Sequence, residues 1–220
     1  MTAAIGLMAK APVPGEVKTR LCPPLDPAEA CEAAVGMLRD CVDTVSVTDA
    51  VVWCVHTGRQ DQLAPHLPTG TRFLRQRGQG LAERLAAAQQ DLHDHGYDGV
   101  VLVGADCPTL DAAYLREAVS ALRGSTVVLG PSTDGGYNLI GSGRPIPSLF
   151  EVRMSTGDVL DETVARAQAA GLTTRLLTPR TDLDTVDDVL AARHAGWLEH
   201  APRTRELAER LRRRSPMPPA

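Results

Sequence analysis

Aromatic residues are scarce in this sequence: two Trp, three Tyr and two Phe make up 3% of its 220 residues. Proteins that bind single-stranded nucleic acid stack the bases on such side chains. The formal net charge of −4 also provides no broad basic surface. We therefore expect no nucleic-acid partner, and any anion site must be a local basic cluster on a mildly acidic protein.

The cysteines are few and show no pairing pattern, since the chain has five of them and no C-x-x-C pair. An odd number without regular spacing is typical of reduced thiols rather than of a disulfide framework or a zinc site. The sequence also has no apolar run of about 18 residues and no signal-peptide pattern. We expect a cytoplasmic protein without a membrane partner.

Several catalytic motifs are missing as well. The sequence has no H-E-x-x-H pair for zinc and no G-x-S-x-G turn for a serine nucleophile. It has neither a G-x-x-x-x-G-K-[ST] loop nor a G-x-G-x-x-G turn after the first strand. These absences disfavour P-loop hydrolysis and dinucleotide redox chemistry.

Apolar segments alternate with amphipathic ones along most of the chain. We predict strands over residues 4–9, 50–55, 71–74, 99–103, 126–129, 135–140 and 172–177. We predict helices over residues 27–47, 80–95, 111–122, 155–170, 185–194 and 202–213, with a helical turn at 59–66. This alternation predicts parallel βαβ units in a three-layer α/β domain. We predict one domain over residues 1–200, followed over 201–220 by a C-terminal helix and a disordered Pro-rich tail.

The stretch from Gly6 to Leu21 leads out of the first strand into a basic loop. Lys10, Lys18 and Arg20 lie on this loop with one glycine, Gly15. Basic side chains and backbone N–H groups that converge at a strand end can bind a polyphosphate. The alternative is a solvated surface loop that is basic by composition.

Carboxylates follow two other predicted strands. Asp106 comes directly after the buried run 99–103, where a single carboxylate typically holds Mg²⁺ or Mn²⁺ on substrate phosphates; the alternative is that it caps the following turn. Asp182 and Asp184 precede a helix whose first turn contains Asp187 and Asp188. One of these two carboxylates could face the metal site while the other faces a basic residue, and we predict that Asp184 faces the metal.

Two further loops are weaker candidates. A tight turn after a strand makes a loop that can face substrate, with Tyr137 as a wall that carries a hydroxyl; the alternative is an ordinary hairpin turn. The residues of this predicted substrate site are Asp134, Gly135, Gly136, Tyr137 and Asn138. At the start of the helix over 80–95, Gln79 and Gly80 are candidates for nucleotide or phosphate binding.

The ordered segments AKAPVPGEVKTRL, GADCPTL, GPSTDGGYNLIG and DLDTVDDVLAA together resemble a bacterial glycosyltransferase-like family of the nucleotide-diphospho-sugar transferase superfamily. The resemblance covers roughly residues 4–195. More distantly, the segments are similar to phospholactate and molybdenum-cofactor guanylyltransferases. This resemblance implies a Rossmann-like GT-A fold of three α/β/α layers with a mostly parallel, mixed sheet.

The resemblance also implies roles for individual residues. Asp106 and Asp184 would be the ligands of Mg²⁺ or Mn²⁺, and Lys10, Lys18 and Arg20 would bind phosphates. On this basis Lys18, Arg20 and Asp106 are the expected catalytic residues.

Three cations on one loop suit a triphosphate, so the first hypothesis is nucleotidyl transfer from an NTP to a small phosphorylated acceptor, with release of pyrophosphate. The family resemblance favours the alternative, glycosyl transfer from an NDP-sugar. A non-catalytic nucleotide-binding module and a redox protein with a reactive Cys107 are further alternatives. The expected partners are a nucleotide and a small-molecule acceptor, with a homodimer left open.

Overall fold

The computed structural model of the protein describes residues 2–122, 126–154 and 156–214. The strands are β1 Ala3–Lys10, β2 Val51–Thr57, β3 Arg72–Arg75, β4 Gly99–Gly104, β5 Thr126–Pro131, β6 Tyr137–Ser142 and β7 Thr173–Leu176. The α-helices are α1 Pro27–Ser46, α2 Gln60–Leu63, α3 Leu81–Asp94, α4 Ala112–Ser120, α5 Val159–Ala169, α6 Val186–His194 and α7 Pro202–Arg214. The predicted elements are confirmed, with shifted ends.

Local chemistry explains where several helices begin. Asp26 caps α1 by accepting a hydrogen bond from the Glu29 backbone N–H, and the Glu29 side chain accepts one in return from the Asp26 N–H. Asp111 caps α4 in the same manner, through the N–H of Tyr114. The predicted start of α5 at 155 lies partly outside the described residues, and the helix itself begins at Val159. The tail over 215–220 also lies outside them.

All seven strands form one sheet in the order β3-β2-β1-β4-β6-β5-β7. β1, β2, β3 and β4 run parallel to one another, and β7 runs parallel to β5. β6 alone among these strands is antiparallel to its two neighbours, β4 and β5. The carboxyl end of β4 and the amino end of β6 therefore lie at the same edge of the sheet.

Both faces of the sheet are covered, as the uniformly apolar strands predicted. On one face, Ile5 and Leu7 of β1 pack with apolar residues of α1 and α4. On the other, Val100 and Leu102 of β4 pack with α3, with part of α5 and with a 3-10 turn over Pro147–Phe150. A third apolar cluster joins the outer side of α1 to α6 and α7.

Within the described residues, no helix is long and apolar enough to cross a membrane.

Candidate active site

The loop between β1 and α1 holds Lys18 in an unusual conformation. Its φ of 46° lies in the left-handed region, which is uncommon for a residue other than glycine and tends to occur at functional sites. Lys18 precedes a 3-10 turn over Thr19–Leu21, and Leu21 is fully buried. The buried Leu21 packs in the apolar cluster shared by α1, α6 and α7, and this anchors the loop against the body of the protein.

The Lys18 side chain joins two carboxylates that are distant in the sequence. Its Nζ donates hydrogen bonds of 2.9 Å to Asp106 Oδ2 and 2.9 Å to Asp184 Oδ1. The lysine side chain is 6% exposed, whereas those of Asp106 and Asp184 are 51% and 45% exposed. The three side chains, which were predicted from separate segments, thus meet at one point. The ammonium is buried and the carboxylates face the solvent.

Burial and neighbouring charges shift the pKa values of Lys18 and Asp106. Burial by itself lowers the pKa of Lys18, but the two carboxylates outweigh that effect and the net pKa is raised. Burial by itself raises the pKa of Asp106, whereas the charge and hydrogen bond of Lys18 lower it, and the net pKa is lowered. At neutral pH Lys18 and Asp106 are therefore ionised.

The start of α6 fixes the position of Asp184. Thr185 caps the helix by accepting a hydrogen bond from the Asp188 N–H, and the Asp188 side chain accepts hydrogen bonds from the N–H groups of Thr185 (2.7 Å) and Asp184 (3.2 Å). This capping box immobilises the backbone that carries Asp184. Asp188 therefore has a structural role at the start of α6.

The other predicted phosphate-binding residues of the first loop are more exposed. Arg20 donates to Asp184 Oδ2 at 3.2 Å. Lys10 donates to the backbone oxygen of Glu16 at 2.9 Å and lies 3.4 Å from its carboxylate. Gly15 is exposed, has a φ of 79° and has no neighbour near its Cα. The loop therefore does not present three unpaired cations, because each of them has a carboxylate partner.

Asp182 differs from the prediction made for it. Its Oδ1 accepts a hydrogen bond from the Cys107 thiol at 3.3 Å, so the expectation that it faces a basic residue is wrong. Burial, followed by the charge of Asp106, raises the pKa of Asp182 to about 6. Burial and these two carboxylates raise the pKa of Cys107 well above its usual value, which argues against the reactive thiol that a redox function requires.

Two clefts meet at the Lys18 group. The narrow cleft, of about 340 Å³, lies under the first loop, and its lining includes Lys10, Pro12, Lys18 and Ala105. The wide cleft, of about 620 Å³, lies on the side of β6 and α5. Both clefts include Met8, Arg20, Asp106 and Asp184 in their walls. A ligand that spans them must pass these shared side chains.

The predicted substrate loop borders the wide cleft through Asp134, Gly136, Tyr137 and Asn138. The Tyr137 hydroxyl is buried and has no hydrogen-bond partner among the described residues, and burial raises its pKa to about 12. Tyr137 therefore lines the wide cleft, with its hydroxyl buried. Asn138 is 6% exposed and donates to the backbone oxygen of Arg180 at 3.2 Å.

Gly135 has a different function from its neighbours in the loop. A Cβ at this position would lie 2.0 Å from the backbone oxygen of Gly157, so the glycine permits two loops to touch. Gln79 and Gly80 lie just before α3 and are exposed; the Gln79 N–H donates to Glu83 at 2.8 Å. The adjacent Leu81 is part of the wide cleft, but these two residues are not.

The wide cleft also contains side chains that the sequence did not point to. An apolar wall is formed by Leu85 on α3, by Met154 in the segment before α5 and by Val159, the first residue of α5. In the sequence these residues are indistinguishable from core positions of amphipathic helices, and only their place in the fold brings them to the cleft.

The site suits a divalent cation of the kind expected. Asp106 Oδ2 and Asp184 Oδ1 converge on one ammonium nitrogen, and both side chains are about half exposed. Across the described residues, no three His, Cys, Asp or Glu side chains form a cluster that could hold an ion. Mg²⁺ commonly binds through one or two carboxylates together with water and substrate phosphates, so the two aspartates fit it, provided that Lys18 releases their oxygens.

A family profile described as "Uncharacterized protein conserved in bacteria (DUF2064)" matches residues 37–156. Among curated proteins, none matches the sequence significantly.

Solved structures share the fold over almost the whole chain. A protein of Desulfovibrio desulfuricans G20, described as a candidate nucleotide-diphospho-sugar transferase, is 28% identical with a TM-score of 0.87, covering 97% of this chain and 98% of that one. A cytidylyltransferase of Leptospira borgpetersenii is 14% identical with a TM-score of 0.57, covering 97% and 95%. The 4-diphosphocytidyl-2C-methyl-D-erythritol synthase of Anaerococcus prevotii is 13% identical with a TM-score of 0.54, covering 88% and 96%. The chain therefore has the nucleotide-diphospho-sugar transferase fold, as the resemblance implied.

Proposed function

The chain belongs to the family described as "Uncharacterized protein conserved in bacteria (DUF2064)", and on that premise we propose that it is a metal-dependent transferase with a nucleotide diphospho-sugar donor. The observation that carries this proposal is the Lys18 ammonium held by Asp106 and Asp184 where the two clefts meet. A buried cation beside two solvent-facing carboxylates suits a metal-bound diphosphate.

The charge of the site favours this donor over a triphosphate. Lys10, Lys18 and Arg20 are balanced by Glu16, Asp106 and Asp184, so the group is neutral as a whole. A divalent ion adds two positive charges, which match the one negative charge on each phosphate of a diphospho-sugar. A triphosphate carries about four negative charges and would leave the site negative.

In the proposed reaction, different residues of the chain have different roles. Asp106 and Asp184 would hold Mg²⁺ or Mn²⁺, which when bound neutralises charge on the leaving diphosphate. Lys18 and Arg20 would move from the carboxylates to the phosphate oxygens. The acceptor oxygen bonds to the anomeric carbon, the bond from that carbon to the diphosphate oxygen breaks, and the nucleoside diphosphate leaves with the electron pair. The acceptor's proton passes to a carboxylate of the wide cleft and then to solvent.

Nucleotidyl transfer is the second candidate, supported by the fold shared with a cytidylyltransferase. In that reaction the acceptor oxygen bonds to the α-phosphorus of an NTP, the bond from that phosphorus to the β-phosphate oxygen breaks, and pyrophosphate leaves. The released product separates the two reactions, because one gives a nucleoside diphosphate and the other gives pyrophosphate.

The test is a thermal-shift screen of NDP-sugars and NTPs with Mn²⁺ or with EDTA, followed by product analysis for the best ligand. We expect an NDP-sugar to raise Tm only when metal is present. In Asp184→Asn, this metal-dependent rise in Tm should disappear. Asp187→Asn is the matched control, because Asp187 is exposed in the first turn of α6 and has no contact with Lys18. Stabilisation that is equal in EDTA contradicts the metal, and binding without turnover of any donor supports the non-catalytic module instead.

A further inference from the structure

Acidic side chains outnumber basic ones in the lining of the wide cleft. Among the described residues that line it, Arg20 carries the only positive charge, and Asp184 already binds it at 3.2 Å. Four carboxylates face the same space: Asp106, Asp134, Asp182 and Asp184. Lys18 and Arg20 offset the charges of Asp106 and Asp184, so Asp134 and Asp182 leave the cleft negative. An anionic group that enters from solvent therefore meets net negative charge.

The N–H groups of Gly135 and Gly136 do not offset this charge. The turn that follows β5 uses its own N–H groups, since Gly135 donates to Ser132 O at 3.3 Å and Gly136 donates to Asp134 Oδ1 at 3.1 Å. The amino end of α5 borders the cleft, but Asp158, Asp161 and Glu162 occupy its cap and first turn. Their charges are attracted to the helix dipole and compete with any anion there.

The remaining wall is apolar. Leu85, Tyr137, Met154 and Val159 contribute to it, and Leu81 at its rim is 50% exposed. A wall of this kind packs against the carbon-bound face of a sugar or a polyol, while carboxylates accept hydrogen bonds from hydroxyl groups. Asp134 is exposed and has one carboxylate oxygen without a partner among the described residues.

We propose that the acceptor in the wide cleft is an uncharged, polyhydroxylated molecule with an apolar face, and that phosphorylated acceptors are rejected. This inference rests on the proposed transfer function and narrows it, because it replaces the phosphorylated acceptor expected from the sequence. The hydroxyl groups donate to Asp134 and Asp182, and the apolar face packs against the wall of Leu85, Met154 and Val159.

The test uses matched acceptor pairs with the full chain, Mn²⁺ and the donor selected by thermal shift. Each pair consists of a free compound and its monophosphate: glycerol and glycerol 3-phosphate, glucose and glucose 6-phosphate, mannose and mannose 6-phosphate. Initial rates of nucleotide release are measured for both members. We expect at least about a tenfold preference for the unphosphorylated member in any pair that reacts, since a phosphate would lie near two or more carboxylates.

Asp134→Lys tests the cause of the preference. Replacing this exposed carboxylate by a cation should reduce the preference about tenfold, by raising the rate with the monophosphate relative to the free compound. Asp49→Lys makes the same charge change in an exposed turn just before β2, at the opposite edge of the sheet, and should leave the preference unchanged. Equal changes in both variants would mean that net charge, rather than the cleft, sets the preference.

Two failures are distinguishable. If the donor turns over and a monophosphate is the better acceptor, the acceptor inference is wrong and the transferase proposal stands. If no nucleotide donor shifts Tm or turns over, the transferase proposal fails and the acceptor inference fails with it.

Discussion

At the residue scale, Lys18 occupies the position that a metal ion would need. Its ammonium lies 2.9 Å from an oxygen of Asp106 and 2.9 Å from an oxygen of Asp184. A divalent ion bound to the same two oxygens would repel an ammonium at that distance. Metal binding and the transfer of Lys18 to a phosphate are therefore expected to be coupled.

Lys18→Met should accordingly tighten Mn²⁺ binding to the nucleotide-free protein by about tenfold or more, because an ammonium beside the ligand oxygens disfavours a second cation by roughly 1–4 kcal/mol. The same variant should weaken nucleotide binding. Isothermal titration calorimetry measures both affinities. Lys10→Met, which removes a cation that contacts neither aspartate, serves as control, and an unchanged or weaker Mn²⁺ affinity in Lys18→Met contradicts the coupling.

Asp182 gives the protein a pH-dependent stability. Its pKa is raised from 3.8 to about 6, so between these values the folded chain holds more protons than the unfolded chain and the free energy of unfolding falls as pH rises. Above pH 6 the full cost of the ionised carboxylate is present. Asp182→Asn removes that cost and should stabilise the protein at pH 7 by about 1–2 kcal/mol, less than the full linkage value because the side chain is partly hydrated.

Urea unfolding in EDTA at pH 4 and at pH 7 measures this effect. The gain from Asp182→Asn should be small at pH 4, where the wild-type carboxyl is largely protonated in the folded protein. Asp49→Asn, at an exposed position, should change stability little at either pH. A gain of equal size at both values would show that titration of Asp182 is not the cause.

At the scale of elements, two loops lock together to form one side of the wide cleft. The Gly135 carbonyl accepts a hydrogen bond from the Leu160 N–H at 3.0 Å, and the Gly135 Cα lies against the Gly157 carbonyl. This contact joins the turn between β5 and β6 to the start of α5. The loops thus hold Asp134 and Met154 on one rigid wall.

Gly135→Ala should break that contact. The new Cβ would overlap the Gly157 oxygen, and the φ of 87° disfavours any side chain. We expect a loss of about 2–3 kcal/mol in the free energy of unfolding. We also expect a larger loss of the proposed transfer activity than in the control variant. Gly136→Ala is the matched control, because the nearest atom to its Cβ is a side-chain oxygen of Asp134 at 3.3 Å; it should lose less than about 1 kcal/mol. Equal losses in both variants would contradict the role of the contact.

At the scale of the whole molecule, the C-terminal helix is part of the packed structure. Leu207, Ala208 and Leu211 of α7 are buried with Met37 of α1 and Val189 of α6. This packing supports the site, since α6 begins two residues after Asp184 and packs against α7. The predicted boundary at residue 200 therefore separates the region that holds Asp184 from a helix that shares its core.

Asp40 attaches α7 to α1. Its fully buried carboxylate accepts hydrogen bonds from the Thr204 N–H (2.7 Å), the Thr204 hydroxyl (2.8 Å) and the Arg203 guanidinium (2.9 Å). Asp40→Ala leaves both Thr204 donors without this partner and should cost about 3 kcal/mol in urea unfolding. Asp43→Ala removes an exposed partner of the same arginine and should cost less than about 1 kcal/mol. A similar cost for both would contradict the role of burial.

The sequence by itself determined the order of the elements and most of the residues that meet at the site. Continuous apolar runs indicated strands covered on both faces, and capping residues such as Asp26, Asp111 and Thr185 marked helix starts, because these signals depend on neighbouring residues only. The same locality placed Lys18, Asp106 and Asp184 at loops that follow strands. Parallel strands put such loops at one edge, which made their convergence predictable.

Only the tertiary structure decided how those side chains pair and what surrounds them. That Lys18 is buried between two aspartates, that Asp182 faces a thiol and that the Tyr137 hydroxyl is inaccessible all depend on contacts between segments far apart in the chain. The antiparallel direction of β6, which brings Asn138 to the site, arises from strand pairing across the sheet. The apolar wall of the wide cleft is invisible in the sequence, because Leu85 and Val159 carry the same local signal as residues of the core.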